Sequence, residues 1–370
     1  MAAITAEDRV ALTDSLHRLL SDKSTESDVR RTMETASGYD PELWRQLADM
    51  GVVGLIVEEE FGGVGAGPVE LERVMEEAGA FLLCAPLLSS GVLAAGLLQA
   101  LSDEAAKTRL LPGIADGSRI ATVALAGAKG GWTAADVSVT AEARGDDAWA
   151  LSGLASFVTD GQSADVILTV ARVLDDLAVF EVEPGVGVAV RPLPTFDHTR
   201  RLAEVSFDAA PARRLAATGP VWPAVEAALD LARVALAADE AGGAKRALEM
   251  TVDYAKTRAQ FGRLIGSFQA IKHMAADLLL ESESAISAAR NAAARLADSA
   301  EDAGAAIALA SFACADAYSA ITAAAIQMHG GIAFTWVHPA HLYLRRARAD
   351  AQLFGASAHY RERYLQELGA

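Results

Sequence analysis

The stretch RAQFGRLIGSFQAIKH, from Arg258 to His273, places a cation, a Phe-Gly pair and a renewed apolar helical pattern in close succession. Glycine tolerates backbone conformations that other residues avoid, so the Phe-Gly pair interrupts a helix at this point. The arginine supplies a fixed, planar cation that suits a pyrophosphate. Two interpretations stay open from this stretch alone: an amphipathic helix with a glycine kink, or a segment that binds an anionic ligand.

The remainder of the sequence falls into regions of different periodicity. Apolar residues recur at helical spacing from about residue 5 to about residue 115. Short, alternating, β-branched runs separated by turn residues follow from about 118 to 215, which is typical of a β sandwich or barrel. Beyond about residue 220 the chain is Ala-rich and helical again. The β region lacks the Gly-rich fingerprint of a dinucleotide-binding βαβ unit.

This order of segments predicts an α+β fold that is mostly helical. Low-bulk, Ala-rich helices pack closely or form oligomer contacts. We expect four of them in the last part of the chain, at about 219–257, 265–297, 301–329 and 338–367. The predicted domains are an N-terminal helical domain (1–116), a central antiparallel β domain (117–216) and a C-terminal four-helix bundle (217–370).

Composition and charge narrow the classes of function. The 370 residues carry a formal net charge of −17, which argues against nucleic acid because phosphate binding needs a basic surface. A few local arginines are still enough to hold a small anionic molecule. Cys84 and Cys314 lie far apart in apolar surroundings, so we expect neither a disulfide nor a metal site. Without a secretory signal pattern or an uninterrupted apolar span, the chain is expected to be cytoplasmic and not membrane-inserted.

Four segments, in the same order along the chain, carry a resemblance to a known family. They are LSGLASFVTDGQSADVILTVAR (151–172), FDHTRRLAEVSFDAAP (196–211), YAKTRAQFGRLIGSFQAIKHMAADLL (254–279) and QMHGGIAFTWVHPAHLYLRRARAD (327–350). Together they resemble the acyl-CoA dehydrogenase family. The resemblance covers nearly the whole chain and is most specific in its last third.

The resemblance implies FAD as the cofactor and acyl-CoA as the ligand. The residues that match family FAD contacts are Arg258, Phe261, Gln269, Gln327, Gly330 and Gly331 in the helical bundle, with Phe157 and Thr159 in the β domain. In the family the first group faces the FAD of a neighbouring subunit, and the threonine hydrogen-bonds near flavin N5. Arg233 and Asp230 match family positions close to the bound thioester.

The chain departs from the family at the catalytic base. The family uses a glutamate, at one of two positions, to remove the α proton of the acyl-CoA. Phe354 in QLFGAS occupies the position near the C-terminus, and Ala232 occupies the position on the helix before the Arg-x-x-Phe-Gly motif. Neither side chain accepts a proton. Glu240, about two helical turns beyond Ala232, is the alternative candidate for a base.

A second departure lies on the strand that faces the flavin in the family. The segment ALAGAKGGW, 124–132, has Ala124 and Gly130 where the family has a threonine and a serine that hydrogen-bond flavin and pyrophosphate. The losses are therefore concentrated in the half-site that a subunit builds for its own flavin. The half-site that a subunit offers across the interface is retained.

The resemblance therefore implies an acyl-CoA dehydrogenase subunit that works in a heteromer whose paralogous partner supplies the glutamate. The expected reaction is α,β-dehydrogenation of an acyl-CoA thioester, with a bulky or steroid side chain by analogy with heteromeric members. A tetramer and an electron-transfer acceptor are the expected partners. Two alternatives stay open: a self-sufficient homotetramer with a relocated base, and a nonenzymatic relative that binds acyl-CoA or acts as a scaffold.

Overall fold

A computed structural model describes residues 4–145 and 148–369, and it confirms a mostly helical α+β fold. The described chain folds into two compact units that interleave along the sequence. The helical unit consists of residues 4–31, 68–83 and 233–369. The barrel unit consists of residues 32–67 and 84–232. The three sequence domains stay a prediction, since each unit takes segments from more than one of them.

The helical unit is built from long helices with small buried side chains. In the helices Gln269–Ala297 and Ala303–His329 the buried faces are dominated by alanine, which lets two helices approach closely. The elements that lie wholly or largely in this unit are α1 (Ala6–Lys23), α2 (Glu26–Thr32), α4 (Pro68–Ala80), α7 (Trp222–Thr257), β8 (Ala259–Gln260), β9 (Arg263–Leu264), α8 (Gln269–Ala297), α9 (Ala303–His329), α10 (Ala340–Asp350) and α11 (Ser357–Glu367).

Helix α1 begins at a capping box that the sequence encodes. The Thr5 hydroxyl accepts a hydrogen bond from the Asp8 backbone N–H at 3.2 Å, and the Asp8 carboxylate accepts one from the Thr5 backbone N–H at 2.9 Å. These reciprocal bonds satisfy N–H groups that have no partner within the helix. Caps of this kind stabilise the start of a helix.

Two glycines set the closest approach of α4 and α7. A Cβ added at Gly79 would lie 2.6 Å from the carbonyl carbon of Asp239, and one added at Gly242 would lie 2.7 Å from the carbonyl carbon of Glu76. Both would lie closer still to the attached oxygens. No side chain fits between the two backbones at this crossing, so the two glycines determine how α4 packs on α7.

The barrel unit closes a sheet on itself. Its helices and strands are α3 (Pro41–Asp49), α5 (Ala95–Ala100), α6 (Glu104–Ala115), β1 (Ala121–Ala124), β2 (Thr140–Ala143), β3 (Trp149–Thr159), β4 (Val166–Val173), β5 (Asp176–Val182), β6 (Val188–Pro192) and β7 (Leu202–Arg214). Pairings run from β4 through β2, β3, β7 and β5 and return to β4, while β1 adds to β4 and β6 adds to β7.

Alternating side chains fill the interior of this barrel. Leu151, Ile167, Phe180 and Val205 are each fully buried there, which accounts for the period-two pattern of the sequence. The alternating runs between about residues 118 and 215 form the seven strands β1 to β7. The sheet is mainly antiparallel, as predicted, but β1 runs parallel to β4 with Ala121 opposite Val166.

The final helix predicted over about 338–367 is wrong, because the structure has two helices there. Between α10 and α11 the chain turns at Phe354, with φ 61°, and Gly355, with φ 133°. Left-handed conformations of this kind interrupt a helix. The apolar periodicity continues through the turn, so periodicity alone did not reveal it.

One stretch, Ala303–Phe334, is long and apolar enough to cross a membrane by length and composition. It contains α9, and 56% of its most apolar window is buried inside the protein. Helix α9 packs against α8, α10 and α11. A helix packed in the core of a protein passes the same test of length and composition.

Candidate functional site

The Phe-Gly pair of the opening stretch forms a tight hairpin and not a helix kink. Gln260 pairs with Arg263, which leaves Phe261 and Gly262 as a two-residue loop with φ angles of 54° and 79°. Two positive φ values are typical of a type I′ turn, and glycine is the residue best suited to the second of them. The turn projects the Phe261 ring outward, 92% exposed.

A glycine pair ends α9 and exposes backbone. Gly330 has φ 65° and ψ −145°, a region that is essentially restricted to glycine. A Cβ added at Gly331 would meet no atom within 4 Å, so its backbone is open to a ligand. Gln327 lies exposed one turn earlier. We call residues 330–337 the glycine loop.

Tyr254 brings the hairpin and the glycine loop together. Its ring stacks on His329 with centroids 4.4 Å apart, and its hydroxyl donates to the His329 carbonyl at 3.4 Å. Arg258 follows Tyr254 by one helical turn, and its N–H donates to the Tyr254 carbonyl at 2.8 Å. Arg258 follows the end of α7, and Gly330 follows the end of α9. The stacked rings of Tyr254 and His329 hold these two helix ends together.

This part of the helical unit fits an anionic, flat cofactor. Arg258 is exposed, and no carboxylate in the described part of the chain pairs with it. The glycine loop adds open backbone, and Phe261 adds an exposed ring. Gln269 is exposed at the start of α8, where its amide lies 3.4 Å from the His273 ring. The arrangement could hold a pyrophosphate beside a planar ring system.

The matching residues of the barrel unit fit such a cofactor less well. Phe157 lies in a bulge of β3, with φ 54° and its side chain 39% exposed. A Cβ added at Gly130 would lie 2.7 Å from the Phe157 ring, so a serine has no room there. Thr159 is 3% exposed, and its carbonyl accepts from the Thr122 hydroxyl at 2.6 Å. Ala124 is fully buried and offers no hydrogen bond from its side chain.

The two positions expected to carry a base are apolar and buried. Ala232 is 0% exposed and Phe354 is 1% exposed. Arg233, also buried, donates from Nε to the Tyr360 hydroxyl at 3.0 Å, and that hydroxyl donates to the Phe354 carbonyl. The predicted ligand-contacting arginine is therefore held by a tyrosine. Asp230 lies half-buried one turn before it on α7.

Little space remains beside Phe354 in the helical unit. The cavity lined there by Arg233, Glu240, Gly355 and Tyr360 has a volume of about 10 Å³. One water molecule needs roughly that much. Glu240 is 2% exposed on this cavity, so within the helical unit it faces a space too small for an acyl chain.

Sequence reasoning missed several residues that organise this region. Tyr360 carries no motif, and its bond to Arg233 spans 127 residues of sequence. Tyr254 precedes the Arg258 motif but gave no signal of stacking on His329. His338 and His341 lie in a matched segment and received no role, although their spacing, HPAH, could have marked them as neighbours.

Comparisons with known proteins identify a family over both units. The acyl-CoA dehydrogenase N-terminal domain matches residues 6–118, and the C-terminal domain of the same family matches residues 222–368. The chain is 32% identical over 352 residues to the acyl-CoA dehydrogenase IpdE2 of Mycolicibacterium smegmatis, and the match covers 95% of each protein.

Solved structures agree with this match. A variant of the Tcur3481–Tcur3483 steroid ACAD shares 30% identity at a TM-score of 0.89, over 98% of both chains. The ChsE4–ChsE5 complex from Mycobacterium tuberculosis shares 29% identity at a TM-score of 0.89, over 100% of this chain and 99% of the other.

Proposed function

Since the chain belongs to the acyl-CoA dehydrogenase family, we propose that it is the subunit without a catalytic base in a heteromeric acyl-CoA dehydrogenase. The family consists of oxidoreductases whose cofactor is FAD, and FAD is the cofactor of this chain. When bound, FAD supplies the hydride acceptor of the α,β-dehydrogenation. A paralogous partner would supply the carboxylate that takes the α proton.

The observation that carries this proposal is the apolar character of both base positions. Ala232 and Phe354 are buried hydrocarbon, and the cavity of about 10 Å³ beside Phe354 leaves room for one water molecule. A general base must come within hydrogen-bond reach of the proton it removes. Nothing at these two positions can do so.

The retained residues support a role in a shared cofactor site. Arg258 would neutralise the pyrophosphate, and the backbone at Gly330 and Gly331 would approach the cofactor without a side chain between them. Phe261 would pack its exposed ring against the cofactor of the neighbouring subunit. Phe157 and Thr159 would line the flavin in this chain's own half-site. In that half-site Gly130 stands where the family has a serine, and the Phe157 ring leaves no room for a serine side chain.

Similarity to heteromeric relatives supports a bulky substrate. The Tcur3481–Tcur3483 protein is described as a steroid ACAD, and ChsE4–ChsE5 is a complex of two named proteins. We infer that the substrate is an acyl-CoA thioester with a bulky or steroid side chain. We also infer that the chain forms a tetramer with a paralogue, passes electrons to an electron-transfer acceptor and is located in the cytoplasm. We infer that Arg233 and Asp230, which match family positions close to the thioester, contact the substrate.

Anaerobic flavin reduction by acyl-CoA tests this function. The chain alone, the chain coexpressed with a glutamate-bearing paralogue, and the same complex with that glutamate changed to glutamine are compared by flavin absorption. We expect rapid bleaching only in the unmodified complex, and bleaching of the glutamine variant should be slower by about 100-fold or more. Rapid bleaching in the chain alone would contradict the proposal. Absence of flavin from all three would instead indicate a nonenzymatic relative.

Glu240 is the residue on which a self-sufficient enzyme would depend. It is buried beside Arg233, whereas Glu249 on the same helix has half of its side chain exposed and serves as a matched control. We expect Glu240→Gln and Glu249→Gln to leave the reduction rate of the complex within about twofold of wild type. A loss of about 100-fold confined to Glu240→Gln would make Glu240 the base.

Loss of the Arg258 guanidinium is expected to weaken FAD retention. A charge-assisted hydrogen bond contributes about 1.5 to 3 kcal/mol, so Arg258→Gln should raise the Kd for FAD by about 10- to 100-fold. Lys256→Gln removes a cation two residues away, one that pairs with Asp253 at 3.1 Å, and should change the Kd little. The Kd values are measured by equilibrium dialysis of the complex. Equal increases for both variants would show that Arg258 acts only through its charge and makes no specific contact with FAD.

A further inference from the structure

Three histidines, His329, His338 and His341, flank the glycine loop. The rings of His329 and His338 lie 4.4 Å apart between centroids, and Tyr254 stacks on the first and meets the second edge-on at 6.1 Å. His341 meets the edge of Trp336 at 4.6 Å. The cluster therefore lies against both ends of the loop, at Gly330 and at Trp336, and inside the helical unit.

Hydrogen bonds fix where two of the rings carry their proton. His329 Nδ1 donates to the Ala325 carbonyl at 2.8 Å, which leaves Nε2 buried without a hydrogen-bond partner in the described chain. His338 Nδ1 accepts the Ala340 N–H at 3.2 Å, so that nitrogen must keep its lone pair. Both ring nitrogens of His341 are buried without a hydrogen-bond partner among residues 4–145 and 148–369. Such rings are tolerated in a buried site while they are uncharged.

Charged groups around the cluster also favour neutral rings. Arg30 from α2 and Arg345 from α10 place guanidinium carbons 5.9 Å and 5.2 Å from the centre of the Trp336 ring. Burial, followed by Arg30 and Arg345, lowers the pKa of His341 to about 4. Burial also lowers the pKa values of His329 and His338, and only Glu26 on α2 opposes this for His338.

We propose that His329, His338 and His341 are positioning residues that hold the glycine loop in place only while their rings are neutral. This inference rests on the proposed cofactor role of Gly330 and Gly331. A proton on His338 Nδ1 would remove the acceptor for Ala340 at the start of α10. Charges on His329 and His338 would repel across 4.4 Å, and Arg30 would add to the repulsion at His338. A charge on His341 would be repelled by Arg30 and Arg345.

The direction of the pH effect follows from linkage. A ring whose pKa is about 4 in the closed loop and 6.5 when released makes a stabilising contribution that is fully present above 6.5. That contribution is lost as the pH falls from 6.5 toward 4, because the open loop binds the proton more tightly. Between about pH 7.5 and about pH 5.5, one such ring shifts the closed-to-open equilibrium about tenfold toward open.

Hydrogen exchange of the full-length chain measures this opening without a cofactor. After correction for the intrinsic pH dependence, exchange of peptides covering 326–345 should rise about tenfold or more between about pH 7.5 and about pH 5.5. Peptides covering β4 and β5 of the barrel unit should not change. The double variant His338→Asn with His341→Phe keeps an acceptor for Ala340 but cannot titrate at these two positions, so its loop should respond much less.

If the histidines only contribute to packing, hydrogen exchange should give a different result. Exchange in the double variant would then rise equally at both pH values, and its pH response would match wild type, which would overturn the proposal. An unchanged wild-type loop at about pH 5.5 would overturn it as well. In the flavin-loaded complex, FAD release should accelerate with acid in wild type and less in the double variant. If neither the chain nor its complex acquires FAD, the proposed function fails while the exchange result still decides the role of the histidines.

Discussion

Gly242→Ala is expected to lower the free energy of unfolding by about 3 kcal/mol, because the added methyl group overlaps backbone on the neighbouring helix. The new Cβ would lie 2.7 Å from the carbonyl carbon of Glu76 and closer to its oxygen, so α4 and α7 must separate. Helix propensity alone favours alanine over glycine by about 1 kcal/mol. A net loss in the free energy of unfolding must therefore come from the packing of α4 against α7. Urea denaturation followed by far-UV circular dichroism measures the change.

Gly331→Ala is the matched control for this substitution. A Cβ at Gly331 meets no atom within 4 Å, so the free energy of unfolding should stay within about 0.5 kcal/mol of wild type. The two variants add the same methyl group to different surroundings. Equal stability of both would show that the crossing of α4 and α7 yields at little cost.

Arg346→Met is the second large effect, with an expected loss of about 3 to 5 kcal/mol. The guanidinium and the Asp239 carboxylate are 1% and 3% exposed, and their nearest atoms lie 3.4 Å apart. Arg346 also donates to the Leu83 carbonyl at 3.2 Å. Methionine keeps much of the volume but leaves the buried carboxylate without this cation.

Two further variants separate burial from charge pairing. Adding Asp239→Leu to Arg346→Met removes the buried charge as well and should restore most of the loss, because a buried pair replaced by apolar groups is often nearly neutral. Arg45→Met breaks exposed pairs with Glu42 and Asp49, both at 2.7 Å, and should cost much less than Arg346→Met because solvent screens these charges. If Arg45→Met is as damaging as Arg346→Met, burial is not the cause.

The sequence predicted the elements whose signal is local. Alternation alone indicated all seven strands of the barrel unit, because one face of each strand contacts a closed interior. It did not predict that β1 pairs in parallel with β4, since pairing direction depends on chain segments that lie far apart. The Phe-Gly pair indicated a break, and the positive φ angles of Phe261 and Gly262 make that break a hairpin.

The candidate site could be predicted only where it depends on a motif. Arg258, Phe261 and the glycine pair were found because their order along the chain is distinctive, and their role in binding FAD stays a prediction. The link between Arg233 and Tyr360 joins residues on α7 and α11, and no local pattern reports such a pairing. The same holds for His341, whose buried nitrogens follow from the packing around α10 and not from its neighbours in sequence.

The central claim, a subunit that contributes half of a shared FAD site and no base, is tested most directly by flavin stoichiometry. FAD per chain is measured from the visible spectrum of this protein expressed alone and coexpressed with a glutamate-bearing paralogue. Little or no FAD alone, rising to about one FAD per two chains in the complex, is the predicted result. About one FAD per chain in the protein expressed alone would contradict the claim, because the chain would then complete its own cofactor site.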